Sequence, residues 1–378
     1  ALLVFTSGTT GKGKGVMLSQ KAVLEDMTNI IPYIDFGKKT VGVLPPHHTY
    51  GSSVAILGQT SIGCEVYISS GLRYVVNELK EQKPGHLVLV PLYLETFYRK
   101  IIANLKEQNK YDLVFKMIKV SNGLRKVGID NRKQMFGAIH AAFGGEVKMI
   151  ISGGAPINPE ILDFFRAMGI ITLNGYGITE CAPLVAVNSP GKIRFHSVGT
   201  PVRGCQVKID KTEEEETGEI LVKGDNVMLG YYNNPEENAK AFTEDGWYRT
   251  GDVGYMDAEG YIYITGRLKS VIVLENGKNV FPEEIEEYLE KIEEIAESVV
   301  VGRKDTDGET VLLTAVVYPN KDLFGEGADA DTMYKVIYGK LTDLNKKLPS
   351  FKKIKGLEIR DTEFEKTTSR KIKRHLVK

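Results

Sequence analysis

Cysteine is scarce: Cys64, Cys181 and Cys205 are the only three in 378 residues. They are odd in number, widely spaced and form no CxxC pair. That argues against a disulfide framework or a cysteine-built zinc site and favours a reducing cytosol, so a cytoplasmic location is expected. Long apolar runs are missing too. None approaches the roughly 20 residues a membrane-spanning helix needs. The start, Ala1 to Phe5, is short, lacks a basic flank and runs into a glycine-rich loop, unlike a signal peptide. There is no excess of either charge. Lys+Arg and Asp+Glu both count 49, so the electrostatic case for nucleic acid as principal partner falls away. HExxH and G-x-S-x-G are also absent, which removes support for a zinc protease or a serine nucleophile elbow. His47 and His48 are adjacent, a spacing that rarely offers one ion good geometry.

What is present is a globular mixture, 42% hydrophobic and 26% charged, in a chain long enough for two or three domains. Apolar runs at Leu2–Phe5, Val41–Leu44, Leu87–Val90, Lys148–Ile151 and Ile170–Leu173 read as buried strands. The amphipathic stretches Leu92–Leu105 and Pro159–Met168 read as helices between them. This alternation predicts an α/β fold with a largely parallel sheet. From about Gly191 short β-rich runs (Cys205–Ile209, Glu219–Val222, Tyr261–Ile264) are separated by turn signals, predicting a small β subdomain over about 191–265. After Gly266-Arg267 the texture changes again. A strand at Ser270–Leu274, a turn at Glu275–Lys278, a helix opened by Pro282, strands Ser298–Val301 and Val311–Val317 and a helix near Thr332–Lys347 predict a compact α+β unit. The boundary is placed near Leu268, giving a large domain over 1–268 and a smaller mobile C-terminal domain over 269–378. The acidic run Glu213–Glu216 reads as a solvated hairpin tip.

The strongest local signal is Thr6-Ser7-Gly8-Thr9-Thr10-Gly11-Lys12-Gly13-Lys14-Gly15, directly after a strand. Small residues let backbone N–H groups close around an oxyanion, and hydroxyls and lysines add donors and positive charge, so polyphosphate is the expected ligand. A plain flexible Gly/Ser/Thr loop is the bland alternative. Gly8 to Lys14 also fits GxxxxGK, but Gly15 stands where a P-loop NTPase needs a Mg²⁺-binding hydroxyl. A P-loop-like nucleotide-binding module without catalysis therefore remains the alternative of another class.

Phe5–Gly15 resembles the phosphate-loop signature of the adenylate-forming superfamily of acyl-CoA synthetases, luciferases and adenylation domains. Four further segments occur in that superfamily's order: Leu44–Gly51 (LPPHHTYG), Asn174–Glu180 (NGYGITE), Gly246–Asp252 (GWYRTGD) with Gly266-Arg267, and Lys366–Ile372 (KTTSRKI). Val90–Tyr98, Arg132–Ile139 and Lys148–Pro156 resemble the long-chain fatty acid–CoA ligases in particular. Gly13 stands where Pro is usual and Arg370 where Gly is usual; the region the family carries before the phosphate loop does not appear, so the sequence reads as a piece of a longer chain.

The resemblance implies that a fatty acid and ATP give acyl-AMP and pyrophosphate, and that CoA then displaces AMP, with Mg²⁺ required. Its alternative is an acyl-AMP ligase that delivers to a carrier protein or an amine. It implies that Thr6, Ser7, Gly8, Thr9, Thr10, Gly11 and Lys14 hold phosphates. Glu180 would hold Mg²⁺ and Thr179 would contact phosphate, although a helix cap and first-turn acid would look the same. Tyr176, within Asn174, Gly175 and Gly177, would offer a face for adenine beside Gly153, Gly154 and Ala155. Asp252 would accept the ribose hydroxyls, with Ile264 and Arg267 near it. His48, Tyr50 and Gly51 would lie at the acyl pocket, and His48 is carried as catalytic. Lys371 is implied as the adenylation lysine, Lys269 as the hinge, and Gly277 and Lys278 as the CoA-side loop. Peripheral contact with a membrane to collect fatty acid is compatible with the resemblance.

Overall fold

A computed structural model describes residues 2–6, 13–31, 37–71, 73–194, 196–275, 278–305, 310–325, 329–366 and 372–377. Ser7, Gly8, Thr9, Thr10, Gly11, Gly277 and Lys371 lie outside the described residues.

Strands β1 (Leu2–Thr6) and β2 (Lys14–Leu18) pair antiparallel, with Thr6 opposite Lys14. Ser19 then caps helix α1 (Gln20–Ile30) by accepting the Ala22 N–H at 2.9 Å. Next come β3 (Lys39–Gly42), a widened helical stretch Tyr50–Gly58 running into α2 (Gln59–Ser61), β4 (Glu65–Ile68), α3 (Val75–Gln82) and β5 (His86–Leu89). Pro91 occupies the first position of α4 (Pro91–Glu107), where its missing N–H costs nothing. Helices α5 (Tyr111–Lys126), α6 (Arg132–Met135) and α7 (Gly137–Ala142) lead to β6 (Met149–Ser152), α8 (Pro159–Ala167) and β7 (Ile171–Gly177). Strands β8 (Leu184–Val187) and β9 (Thr200–Pro201) complete a seven-stranded sheet of order β4-β3-β5-β6-β7-β8-β9. Its β3 to β7 pairings are parallel, whereas β7–β8 and β8–β9 are antiparallel.

A second, antiparallel sheet has the order β10-β11-β13-β14, from β10 (Cys205–Asp210), β11 (Gly218–Gly224), β13 (Tyr248–Met256) and β14 (Ile262–Arg267). Between its strands, β12 (Gly230–Tyr231) leaves to pair with β2, and Pro235 opens α9 (Pro235–Ala241). The C-terminal unit contains the β15 (Ile272–Val273) and β16 (Asn279–Val280) pair, α10 (Pro282–Leu289), β17 (Ile295–Lys304), β18 (Val311–Pro319), α11 (Ala330–Asn345) and β19 (Gly356–Ile359). Its main sheet is β17-β18-β19.

The α/β expectation holds, with one correction. Leu2–Phe5 is no strand of the parallel sheet. It is an edge strand of the separate β1-β2-β12 sheet, with Leu3 and Phe5 48% and 66% exposed. Its apolar composition concealed this, because a buried parallel strand and a half-exposed hairpin strand carry the same short run. One core runs from β2 and α1 through β7 and β8 into β11 and β14, and a second packs α3, α4, α7 and α8 on the other part of the parallel sheet. The C-terminal unit has a core of its own around Val280, Ile285, Val300, Val317 and Ile337.

Candidate active site

The site lies where β2, β7, β12, β13 and β14 converge. The β1–β2 hairpin brings Thr6 and Lys14 opposite each other at the mouth of the glycine-rich loop. Lys14 is turned toward β12: its ammonium lies 4.8 Å from the centre of the Tyr231 ring and forms an ion pair with Glu237. Tyr231 is 6% exposed and donates its hydroxyl to Glu180 Oε1 at 2.9 Å. One ring thus joins the loop lysine to the acid of the Thr179-Glu180 pair. Burial, and then the Glu180 charge, push the Tyr231 phenol above its ordinary range, so it stays a proton donor.

Thr179 and Glu180 sit on a single tight turn after β7. The turn is closed by the Ile178 N–H donating to Pro183 at 2.8 Å, and the Met228 N–H donates to the Glu180 carbonyl at 2.8 Å. Asn226 donates its amide to Leu184 at 2.9 Å, and buried Asp26 of α1 accepts the Leu184 N–H at 2.7 Å. The Glu180 turn is therefore fastened to α1, the helix that follows the β1–β2 hairpin. Thr179 faces the Thr49 hydroxyl at 3.5 Å.

The second constellation centres on Asp252, 4% exposed on β13. One of its carboxylate oxygens accepts the Tyr176 hydroxyl at 2.6 Å, and the other pairs with Arg267 Nε of β14 at 2.8 Å. Burial, and then the Asp252 charge, raise the Tyr176 phenol well above its ordinary range. Tyr176 itself is 7% exposed, so its ring packs in the core as much as it faces the site. Asn174, Gly175, Tyr176 and Gly177 lie on β7 itself, a strand longer than the apolar run Ile170–Leu173 signals because two glycines dilute its pattern. A side chain at Gly177 would meet the Pro183 carbonyl at 2.4 Å, so the strand can pass the Glu180 turn only without one.

Gly153, Gly154 and Ala155 follow β6, and Gly154 has φ +84°. A Cβ on Gly153 would lie 3.2 Å from the Tyr50 ring and hydroxyl. Tyr50 is buried and donates its hydroxyl to Ile151 at 3.3 Å, so it forms a floor beneath this glycine turn. Gly51 is buried against the Pro45 carbonyl, 2.1 Å from where its Cβ would sit, a packing requirement rather than a pocket opening. His48 is half-buried, its Nδ1 accepting the Tyr50 N–H at 3.2 Å. Ile264 packs on the large core. Lys269 lies on the turn Leu268–Ser270, and the Lys278 ammonium is 4.4 Å from the Phe351 ring centre.

Of the sequence-predicted residues the structure brings Tyr176, Asp252 and Arg267 into one cluster and sets Glu180 beside Tyr231; Tyr231, Glu237, Asp26 and Asn226 were not named from sequence. Gly230-Tyr231 opens a turn-rich stretch with no chemistry-bearing pattern, and Glu237, the second of two Glu after Asn234-Pro235, reads as an ordinary first-turn acid. Among the described residues no group of three or more His, Cys, Asp or Glu could hold a metal. A lone carboxylate fits Mg²⁺, which is commonly bound by one or two carboxylates together with substrate phosphates.

The β1–β2 hairpin, the Glu180 carboxylate beside it, and buried Asp252 and Tyr176 capped by exposed Arg267 form one candidate site. The chain belongs to the AMP-binding enzyme family: that family's profile matches residues 1–232, and the profile of the AMP-binding enzyme C-terminal domain matches 269–378. Among its relatives, a chloroplastic long-chain-fatty-acid–[acyl-carrier-protein] ligase of Arabidopsis thaliana is 30% identical over 85% of this chain and 51% of its own. Long-chain-fatty-acid–CoA ligase 5 of Mus musculus is 30% identical over 85% of this chain and 49% of its own. The chain spans about half the length of the curated relatives it matches. In structure it is similar to o-succinylbenzoate CoA synthetase of Bacillus subtilis bound to its acyl-adenylate, with TM-score 0.76 and 25% identity over all of this chain and 68% of that one. ATP-bound MatB of Rhodopseudomonas palustris gives TM-score 0.75 and 25% identity, over 99% of this chain and 67% of that one. No helix among the described residues is long and apolar enough to cross a membrane.

Proposed function

We propose that this chain carries the nucleotide site and the mobile lysine domain of an AMP-forming ligase that activates a long-chain fatty acid to acyl-AMP and passes the acyl group to CoA. The observation that carries the reading is Asp252, a buried carboxylate approached from two separate strands by Tyr176 and Arg267. An ionised carboxylate accepts two hydroxyl donors at once, the recognition a ribose demands. Across the site, Lys14 supplies positive charge for the β- and γ-phosphates and Glu180 would hold Mg²⁺, which neutralises phosphate charge when bound. Catalysis of this kind is positioning and charge neutralisation, because the carboxylate substrate is itself the nucleophile. Lys371 is assigned to the acyl carboxylate and α-phosphate, Lys269 to the hinge, and Gly277 with Lys278 to the CoA side.

Fatty-acid specificity is supported by the relatives' long-chain activities. A carrier-protein acceptor is the second reading, favoured by the Arabidopsis relative. The test is fatty-acid-dependent exchange of pyrophosphate into ATP over a chain-length series, followed by acyl transfer to CoA or to acyl-carrier protein. Exchange stimulated most by the longest chains of the series, with thioester formed on CoA, supports the reading. Exchange with short or aromatic acids alone would overturn the substrate, and transfer only to the carrier would overturn the acceptor.

A further inference from the structure

Lys14 is the cation that the phosphate-loop reading requires, yet its ammonium is already engaged by Glu237. The pair is partly shielded, the two side chains being 17% and 32% exposed. The helix start that presents Glu237 is also held in place. The Asn234 side chain accepts the Glu237 N–H at 3.3 Å, and Asn238, one residue further on, accepts the Tyr231 N–H at 2.6 Å and donates to the Tyr231 carbonyl at 2.9 Å. Because Tyr231 pairs with Val16 of β2, the element presenting the carboxylate is fastened to the hairpin that carries the lysine. Lys14, Lys240 and Lys269 together hold the Glu237 carboxyl below its ordinary range, so it is ionised at neutral pH.

A polyphosphate entering the loop competes with this carboxylate for one ammonium. We propose that Glu237 is a built-in competitor for Lys14, displaced by the β- and γ-phosphates on binding and returning to the lysine as pyrophosphate leaves. The idea rests on the nucleotide reading above. Once displaced, the carboxylate still faces Lys240, 3.8 Å away, and the field of Lys269 at the start of the small domain. Polyphosphate release is thereby favoured at the expense of polyphosphate affinity. AMP and acyl-AMP, which lack those phosphates, are unaffected. For an enzyme this trade is productive, since binding substrate and transition state equally tightly adds nothing to turnover.

Glu237→Gln keeps the shape and removes the charge. Calorimetric titration of the full chain with Mg-ATP, pyrophosphate and AMP, at one salt concentration, reads the effect. The variant should bind Mg-ATP and pyrophosphate about tenfold tighter, the scale of a partly shielded charge-assisted contact, with AMP affinity unchanged. In a Lys14→Met background the same substitution should gain less than about twofold, because its competition is removed. Unchanged or weaker Mg-ATP binding overturns the proposal, and so does a gain that persists without Lys14. Failure of the wild-type chain to bind either nucleotide overturns the nucleotide reading and this inference with it. AMP binding without an ATP gain overturns the inference alone. Glu237→Ala provides the same comparison if the Gln variant folds poorly.

Discussion

Asp26 offers a test of the site's scaffold that needs no substrate. It is 1% exposed on α1; one carboxylate oxygen accepts the Leu184 N–H at 2.7 Å, and the other has no hydrogen-bond partner among the described residues. Burial outweighs that one donor and pushes its pKa from the ordinary 3.8 to about 8, beside the buried thiols of Cys181 and Cys205. The consequence for stability has a definite sign. Below pH 3.8 the folded and unfolded chains both hold the proton. Above it the unfolded chain ionises while the folded one does not, so stability is lost steadily until pH about 8 and is then constant. At about 1.4 kcal/mol per pH unit the full window amounts to on the order of 5 kcal/mol. Asp26→Asn keeps the acceptor for Leu184 and abolishes the titration. Its own unsatisfied amide costs about 1–3 kcal/mol, the same at every pH. Urea denaturation of both proteins should show the variant gaining on wild type by about 4 kcal/mol between pH 5 and pH 8. Comparing the two proteins cancels the other titrating groups. A stability difference that is flat across that window would show that Asp26 ionises normally and would refute the reasoning.

Glu180→Gln should raise the Mg²⁺ concentration needed for half-maximal pyrophosphate exchange while leaving the melting temperature within a few degrees; normal turnover at limiting Mg²⁺ would reduce Glu180 to a turn residue. Tyr231→Phe keeps the ring face for Lys14 but removes the donor to Glu180, so kcat/KM for Mg-ATP should fall about tenfold, the scale of a hydrogen bond to a charged group, and Tyr231→Leu should be worse. Identical kinetics in wild type and Tyr231→Phe would remove Tyr231 from the site. Lys371→Ala should suppress acyl-AMP formation by several orders of magnitude yet spare the reaction of CoA with supplied acyl-AMP; equal loss of both half-reactions would make Lys371 a general structural residue.

The layering was legible because period and punctuation agree there. Strands β5 and β6 are continuous apolar runs, and Pro91, Pro159 and Pro282 stand at the first positions of three helices. Asp252, Glu180 and Arg267 were singled out for another reason: they sit in short dense signatures whose residue order carries the resemblance. What escaped was everything that acts through a neighbour. The role of Tyr231 depends on β12 leaving its own sheet to pair with β2, a contact between residues more than two hundred positions apart that no local pattern encodes. The burial of Asp26 depends likewise on the Leu184 turn closing over it. An exposed amphipathic helix with an adjacent Glu25-Asp26 pair would have the same sequence.

The C-terminal unit has the physical character that the proposed alternation of two poses requires. Internally it is tied together: Arg374 forms ion pairs with Glu286 and, at 3.9 Å, with Glu283, while Lys366 bridges to Ile372 and pairs with Glu297. Lys366 and Arg374, on either side of the Lys371 segment, are thus fastened to β17 and α10, and Val280 belongs to the core of the same unit. Against the large domain the contacts are of another kind. Lys291 reaches Glu160 at 3.2 Å and Lys106 reaches Glu293 at 3.4 Å, all four at exposed positions. Such pairs contribute about 0–1 kcal/mol each, and less in salt. A close approach is at Gly266, where an added Cβ would come within 2.9 Å of Glu283 and Phe281. It lies immediately before the proposed hinge at Lys269 and would move little in a rotation there. A body that is rigid inside and weakly held outside can exchange one docking face for another without unfolding. That is the mechanical condition under which Lys371 and the Gly277 loop could take turns at a single nucleotide site.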